Sequence, residues 1–279
     1  MKTFATALIA ATAAAADPSN HWAVIVAGSD GFWNYRHQSD AHHAYSLMIK
    51  NGIPESNVIL FAYDDVADSP MNPIPGKIFN APHGENVYNK ESIDYRGDAV
   101  TPENFLNVLM GEPTTGGNGR VLQSNEDSKV FVFFSDHGAP GMIAFPRSIL
   151  YADQLNKAVQ KMYAKGMYKQ LIFYIEACES GSMFPELANN IGVAAMTASN
   201  AELSSWATYC DPDDVVGDVH IGSCLGDLFS VNWMEDTEAH DPAAETLEEQ
   251  YKTVKALTTE SPVHIFGEFD FGNEFVGDF

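Results

Sequence analysis

The chain has 279 residues, of which 45% are hydrophobic, and a formal net charge of −23 from 15 basic and 38 acidic side chains. That length and composition support a large core in one α/β domain. The charge argues against nucleic acid and anionic membranes as partners and favours a cationic partner or an acidic compartment, where protonation relieves self-repulsion.

The amino terminus opens on Met1-Lys2, continues as an apolar stretch over residues 4–16 and ends in Ala14-Ala15-Ala16 before Asp17. Residues 1–16 read as a secretory signal, with residues 17–279 as the folded domain. The stretch is too short to span a bilayer and no later run reaches about 18 apolar residues, so no membrane insertion is expected. Residues 23–28 form an apolar run ending in Gly28-Ser29-Asp30-Gly31, a buried strand followed by a turn. Asn34-Tyr35-Arg36-His37 is assigned to the loop that follows, and residues 40–51 to a helix stopped by Asn51-Gly52-Ile53-Pro54.

Residues 57–63 read as a second buried strand, and the proline-rich residues 69–88 as a long irregular excursion. Thr101-Pro102-Glu103-Asn104 opens another helix with a cap and a proline in its first turn. A strand at 130–134, a helix at 152–164, a strand at 171–175 and an apolar run at 191–198 continue the alternation. The pattern predicts an α/β fold with a mostly parallel sheet flanked by helices on both faces. Residues 225–234 and 246–257 carry helical spacing, while the tail at 267–279 is rich in glycine, phenylalanine and acids and extends the domain or frays.

Two strand exits carry the chemistry. Phe173-Tyr174-Ile175 runs into Glu176-Ala177-Cys178-Glu179-Ser180-Gly181-Ser182, and Val130-Phe131-Val132-Phe133-Phe134 runs into Ser135-Asp136-His137-Gly138. If these strands are neighbours in one parallel sheet, Cys178 and His137 face each other across its carboxyl edge as nucleophile and base. A structural core thiol is the competing reading of Cys178, and the polar turn around it argues against that. The N–H groups of Gly138 and Cys178 are candidate donors to an oxyanion. Of three cysteines, Cys210 and Cys224 bracket an acidic loop and are the proposed disulfide, which leaves Cys178 free.

The blocks His21-Trp22-Ala23-Val24-Ile25-Val26-Ala27-Gly28-Ser29, Asn34-Tyr35-Arg36-His37-Gln38, Tyr63-Asp64-Asp65, Asp136-His137-Gly138, Glu176-Ala177-Cys178-Glu179-Ser180-Gly181-Ser182 and Ser230-Val231-Asn232-Trp233-Met234-Glu235-Asp236 closely resemble the legumains, the asparaginyl endopeptidases. They run in family order from residue 21 to about residue 236. The resemblance implies a caspase-like fold and cleavage after asparagine, more weakly after aspartate in acid. It implies Cys178 as nucleophile, His137 as general acid/base, Asn34 as the residue that orients the histidine, and Arg36, Glu176 and Asp227 as the pocket for the asparagine side chain. His37, Ser204 and Ser205 fall in family positions near that pocket. The assignment makes physical sense, because a carboxamide offers an acceptor oxygen to Arg36 and an NH2 donor pair to two carboxylates.

The expected partners are protein or peptide substrates, with cystatin-like inhibitors implied by the resemblance, and a monomer in a lysosome- or vacuole-like compartment or outside the cell. No cofactor is required. No metal centre is expected either: His37 is read as preceding the helix, and His42 and His43 point about 100° apart on it, while the acids of 211–218 lack EF-hand spacing. Arg96-Gly97-Asp98 is discounted as an adhesion motif, and no Asn-x-Ser/Thr acceptor for N-glycosylation occurs. Legumains usually carry a C-terminal prodomain, and the sequence stops near where one is expected to begin. Two alternatives remain open: a peptide ligase, since an amine can replace water at an acyl-enzyme, and a scaffold relative that has lost the reaction.

Overall fold

The computed structural model describes residues 18–279, so the expected signal at 1–16 lies outside the described residues. Its centre is a seven-stranded sheet built from β1 (His21–Ala27), β2 (Val58–Phe61), β3 (Ile93–Tyr95), β4 (Lys129–Ser135), β8 (Gln170–Glu176), β9 (Val193–Thr197) and β14 (His264–Gly267). The spatial order is β14-β9-β8-β4-β1-β2-β3, parallel throughout except for β14. β1, β4 and β8 are almost continuous runs of branched and aromatic residues, as strands buried on both faces must be. Alternate side chains enter opposite cores. Val24, Val26, Val132, Phe134 and Phe173 pack beneath α2 (Pro102–Leu109) and α3 (Ala152–Ala164). Ile25, Phe131, Phe133 and Tyr174 pack beneath α1 (Tyr35–Lys50), α4 (Leu228–Ala239) and α5 (Leu247–Leu257).

The chain order positions the site. From β1 the chain adds β2 and β3 outward on one side, then returns to lay β4, β8 and β9 on the other. The connections therefore diverge between β1 and β4, which opens a crevice at their carboxyl ends. In register, Ala27, Ser135 and Glu176 stand level across β1, β4 and β8, so the next residues of all three strands enter one loop cluster.

Several boundaries differ from the sequence expectation. Helix α1 begins at Tyr35, so Arg36 and His37 lie on its first turn and not in a loop. Asn34 at its N-cap makes no side-chain cap bond; the start is fixed instead by tertiary contact, the Phe79 N–H donating to the Tyr35 hydroxyl at 2.6 Å. Helix α4 begins at Leu228 because Gly226–Asp227 (β13) pairs with Ala207–Thr208 (β10). A three-stranded unit of β5 (Gly138–Ala139), β6 (Met142–Phe145) and β7 (Ser148–Tyr151) was not anticipated, nor was the small hairpin of β11 (Val215–Val216) and β12 (Val219–His220). Residues 264–267 form edge strand β14, and the tail beyond them extends the core, burying Phe271 and Phe279.

Candidate active site

Strand β8 stops at Glu176, and three residues later the backbone turns at Glu179, which holds a left-handed conformation with φ of 47°. Cys178 lies on this turn, half-buried and free of any disulfide. Its thiol faces the Ser205 carbonyl oxygen at 3.7 Å. The turn after β4 packs directly against it: a Cβ on Gly138 would collide with the Cys178 carbonyl oxygen. Only glycine permits that approach, because the obstructing atom belongs to the backbone. Cys210 and Cys224 are bonded to each other.

His137 stands exposed on the opposite rim, with Nε2 2.9 Å from Asn34 Oδ1. The Asn34 amide nitrogen donates to the Asp30 carbonyl at 2.9 Å. Its oxygen is therefore the atom that meets the imidazole, which makes Nε2 the protonated nitrogen and leaves Nδ1 as the basic one. The buried ring of His37 packs edge-on to His137 with centroids 5.0 Å apart.

Below the rim lies a cluster of charge. Arg36 Nε donates to Asp227 Oδ1 at 2.9 Å, and His37 Nε2 lies 3.5 Å from Asp227 Oδ2. On its other side His37 Nδ1 is 2.7 Å from Ser29 Oγ and 3.2 Å from Asp136 Oδ1. Glu176 accepts from the Ser230 N–H and hydroxyl, both at 2.9 Å, while its Oε1 and Asp227 Oδ2 are buried without hydrogen-bond partners. Ser205 lies close enough to hold Glu176 down slightly against burial, and Ser204 is half-buried beside it. The thiol and the carboxyl pocket thus share one wall.

Asp40, one turn beyond Arg36 and His37 on α1, is fully buried and accepts from Asn80 at 2.7 Å, Ser135 at 3.1 Å and the Asp227 N–H at 3.3 Å. Asp40, Glu176 and Asp227 thus form one buried acidic cluster in which only Asp227 is paired with Arg36, and Asp136 borders it through His37. Ionising all four acids there is prohibitive. Burial pushes Glu176 up to about 8, with Asp227 adding to the rise, and pushes Asp136 up to about 7. Burial likewise raises Asp40 well above the carboxylate range and holds His37 well below its ordinary value. Sequence reasoning missed Asp40. The signal was its spacing of three and four residues from His37 and Arg36, which a helix starting at Asp40 conceals.

Among the described residues, three groups of metal-ligand type lie within 4.8 Å: His37 with Asp136 and His137, Asp211 with Asp214 and His220, and Asp236 with His240 and Glu245. The first takes part in the contacts above. His37, His42 and His43 do not converge: His42 packs on Tyr88, and His43 bonds Asn80.

A mostly parallel sheet covered by helices on both faces is the architecture of caspase-like proteins. Caspase-1 from Spodoptera frugiperda has this fold, with a TM-score of 0.52 at 10% identity over 90% of this chain and 87% of that one. In sequence, residues 21–279 match the model of the peptidase C13 family, and the chain belongs to that family. It is 50% identical over 242 residues to a vacuolar-processing enzyme of Citrus sinensis, covering 85% of this chain and 49% of the relative. It is 48% identical to legumain of Mus musculus and 47% identical to that of Homo sapiens, each over 254 residues, 90% of this chain and 57% of the relative. The chain thus spans about half the length of these curated relatives.

Proposed function

We propose that the chain is a cysteine endopeptidase that cleaves after asparagine, and after protonated aspartate, through an acyl-enzyme on Cys178. His137 Nδ1 takes the thiol proton as sulfur attacks the scissile carbonyl, then delivers it to the leaving amine as the C–N bond breaks. Water then adds to the acyl carbon as the same nitrogen takes its proton, the C–S bond breaks, and the nitrogen returns the proton to sulfur, releasing the acid and the free thiol. Asn34 fixes the imidazole so that Nδ1 is the working atom. The N–H groups of Gly138 and Cys178 receive the oxyanion.

The observation that carries the specificity is a part-buried guanidinium paired with Asp227, in a pocket where Asp227 and Glu176 each keep a buried oxygen without a hydrogen-bond partner. A carboxamide satisfies both kinds of group, its oxygen accepting from Arg36 and its NH2 donating to Asp227 and Glu176. Lysine meets Arg36 and is repelled; ionised aspartate meets the carboxylate of Asp227 and is repelled; protonated aspartate passes. His37, Ser204 and Ser205 shape the pocket wall.

Family membership supports proteins or peptides with Asn or Asp at the cleavage site as partners. The name of the vacuolar-processing relative supports a vacuole- or lysosome-like compartment, as do pocket carboxyls that stay protonated in mild acid. A thiol-reactive peptide probe ending in Asn tests the reading: it should label Cys178, and an otherwise identical Lys probe should not. Equal labelling by both probes, or none in folded protein, would overturn it.

A further inference from the structure

Outside the cleft, Asp236, His240 and Glu245 meet where α4 ends and before α5 begins, about 18 Å along α4 from the pocket at 1.5 Å per residue. His240 Nδ1 lies 3.2 Å from Asp236 Oδ1 and 3.6 Å from Glu245 Oε1. The two carboxyl side chains are 1% and 8% exposed, whereas the imidazole is 52% exposed. Each carboxyl group keeps its second oxygen, Asp236 Oδ2 and Glu245 Oε2, buried and without a hydrogen-bond partner. An open cleft of about 380 Å³, lined by His240, Glu245 and Glu249, admits solvent to the group.

Two buried carboxyl groups with unused oxygens, aimed at one imidazole nitrogen, form a donor set short of positive charge. The spacing suits a small cation. Bonds of about 2.0–2.2 Å in a tetrahedron set ligand atoms roughly 3.3–3.6 Å apart, close to the 3.2 and 3.6 Å found here. We propose that Asp236, His240 and Glu245 form a structural divalent-cation site of the zinc type, with water from the cleft as the fourth ligand. The imidazole ligates through Nδ1 with its proton on Nε2, exchanging its 2.9 Å contact with the Asp236 carbonyl oxygen for the metal. Mixed imidazole and carboxylate donors select Zn2+ or Co2+ over Mg2+ or Ca2+. A bound ion ties the end of α4 to the start of α5, so binding registers as stability and not as turnover.

The test uses the Cys178→Ala chain, which lacks the thiol that would itself capture zinc. Zn2+ should bind one to one and raise the melting temperature, and Co2+ should give the intense visible absorption of a four-coordinate site. His240→Gln alters an exposed side chain and should weaken binding at least about tenfold while leaving the metal-free fold intact. His220→Gln and His137→Gln, made in the same background, should bind as the parent does. The proposal is overturned if the parent binds no ion at this ratio, if His240→Gln binds as tightly as the parent, or if either control removes binding. In any of those cases a proton on His240 is what holds the two carboxyl groups.

Discussion

Glu176→Gln in the Cys178→Ala background isolates the electrostatic cost of the pocket. Glu176 is 1% exposed and is pushed from 4.5 up to about 8, chiefly by burial and then by Asp227. Near pH 4 the group is largely protonated in the folded and unfolded chain alike. As pH rises toward 8 the unfolded chain releases a proton that the folded chain retains, so stability falls across that window. Between pH 5 and 8 the loss is on the order of 4 kcal/mol at about 1.4 kcal/mol per pH unit. Asp136, pushed from 3.8 to about 7, adds a similar but smaller loss that ends a unit lower. Glutamine preserves the shape and the protonated pattern: its oxygen accepts from Ser230 and its amide nitrogen stands where the carboxyl proton was. The variant should therefore lose less melting temperature between pH 5 and 8 than its parent, by roughly 10 °C. Thermal unfolding by circular dichroism at both pH values reads it. The general repulsion of a −23 chain is common to both proteins, so equal pH slopes would refute the assignment of that cost to Glu176.

Gly138→Ala places a methyl group against the Cys178 carbonyl and should lower kcat at least about 100-fold while the far-ultraviolet spectrum is unchanged; activity within threefold of the parent would contradict that packing. Asn34→Ala frees the His137 ring to take the wrong tautomer, and kcat should fall about 10- to 100-fold with little change in KM; a change in KM alone would assign Asn34 to binding. Replacing both Cys210 and Cys224 with serine should cost on the order of 3 kcal/mol in chemical denaturation, as expected for a closed loop of about 15 residues, without altering peptide specificity.

The central strands were legible because burial on both faces leaves an unmistakable mark: the apolar runs ending at Ser135 and Glu176 announce both the sheet and the loops that carry His137 and Cys178. The start of α1 was hidden because it is set by Tyr35 meeting the backbone of Phe79, a contact between distant segments. That error concealed Asp40, whose place beneath the pocket depends on Arg36 and His37 sharing its helix. The edge strand at 264–267 escaped for a related reason. Its pairing with β9 comes from distant chain, and its half-exposed residues carry little periodicity. Arg36 and Asp227 are 191 residues apart, so their ion pair was accessible only through family resemblance.

The most direct test is turnover of a peptide series with Asn, Asp, Lys or Ala before the scissile bond, measured at about pH 4.5 to 7 with the chain and its Cys178→Ala variant. The account predicts cleavage after Asn throughout, cleavage after Asp only toward the acid end, none after Lys or Ala, and none with the variant. Turnover by the variant, or Lys cleaved as well as Asn, would contradict it.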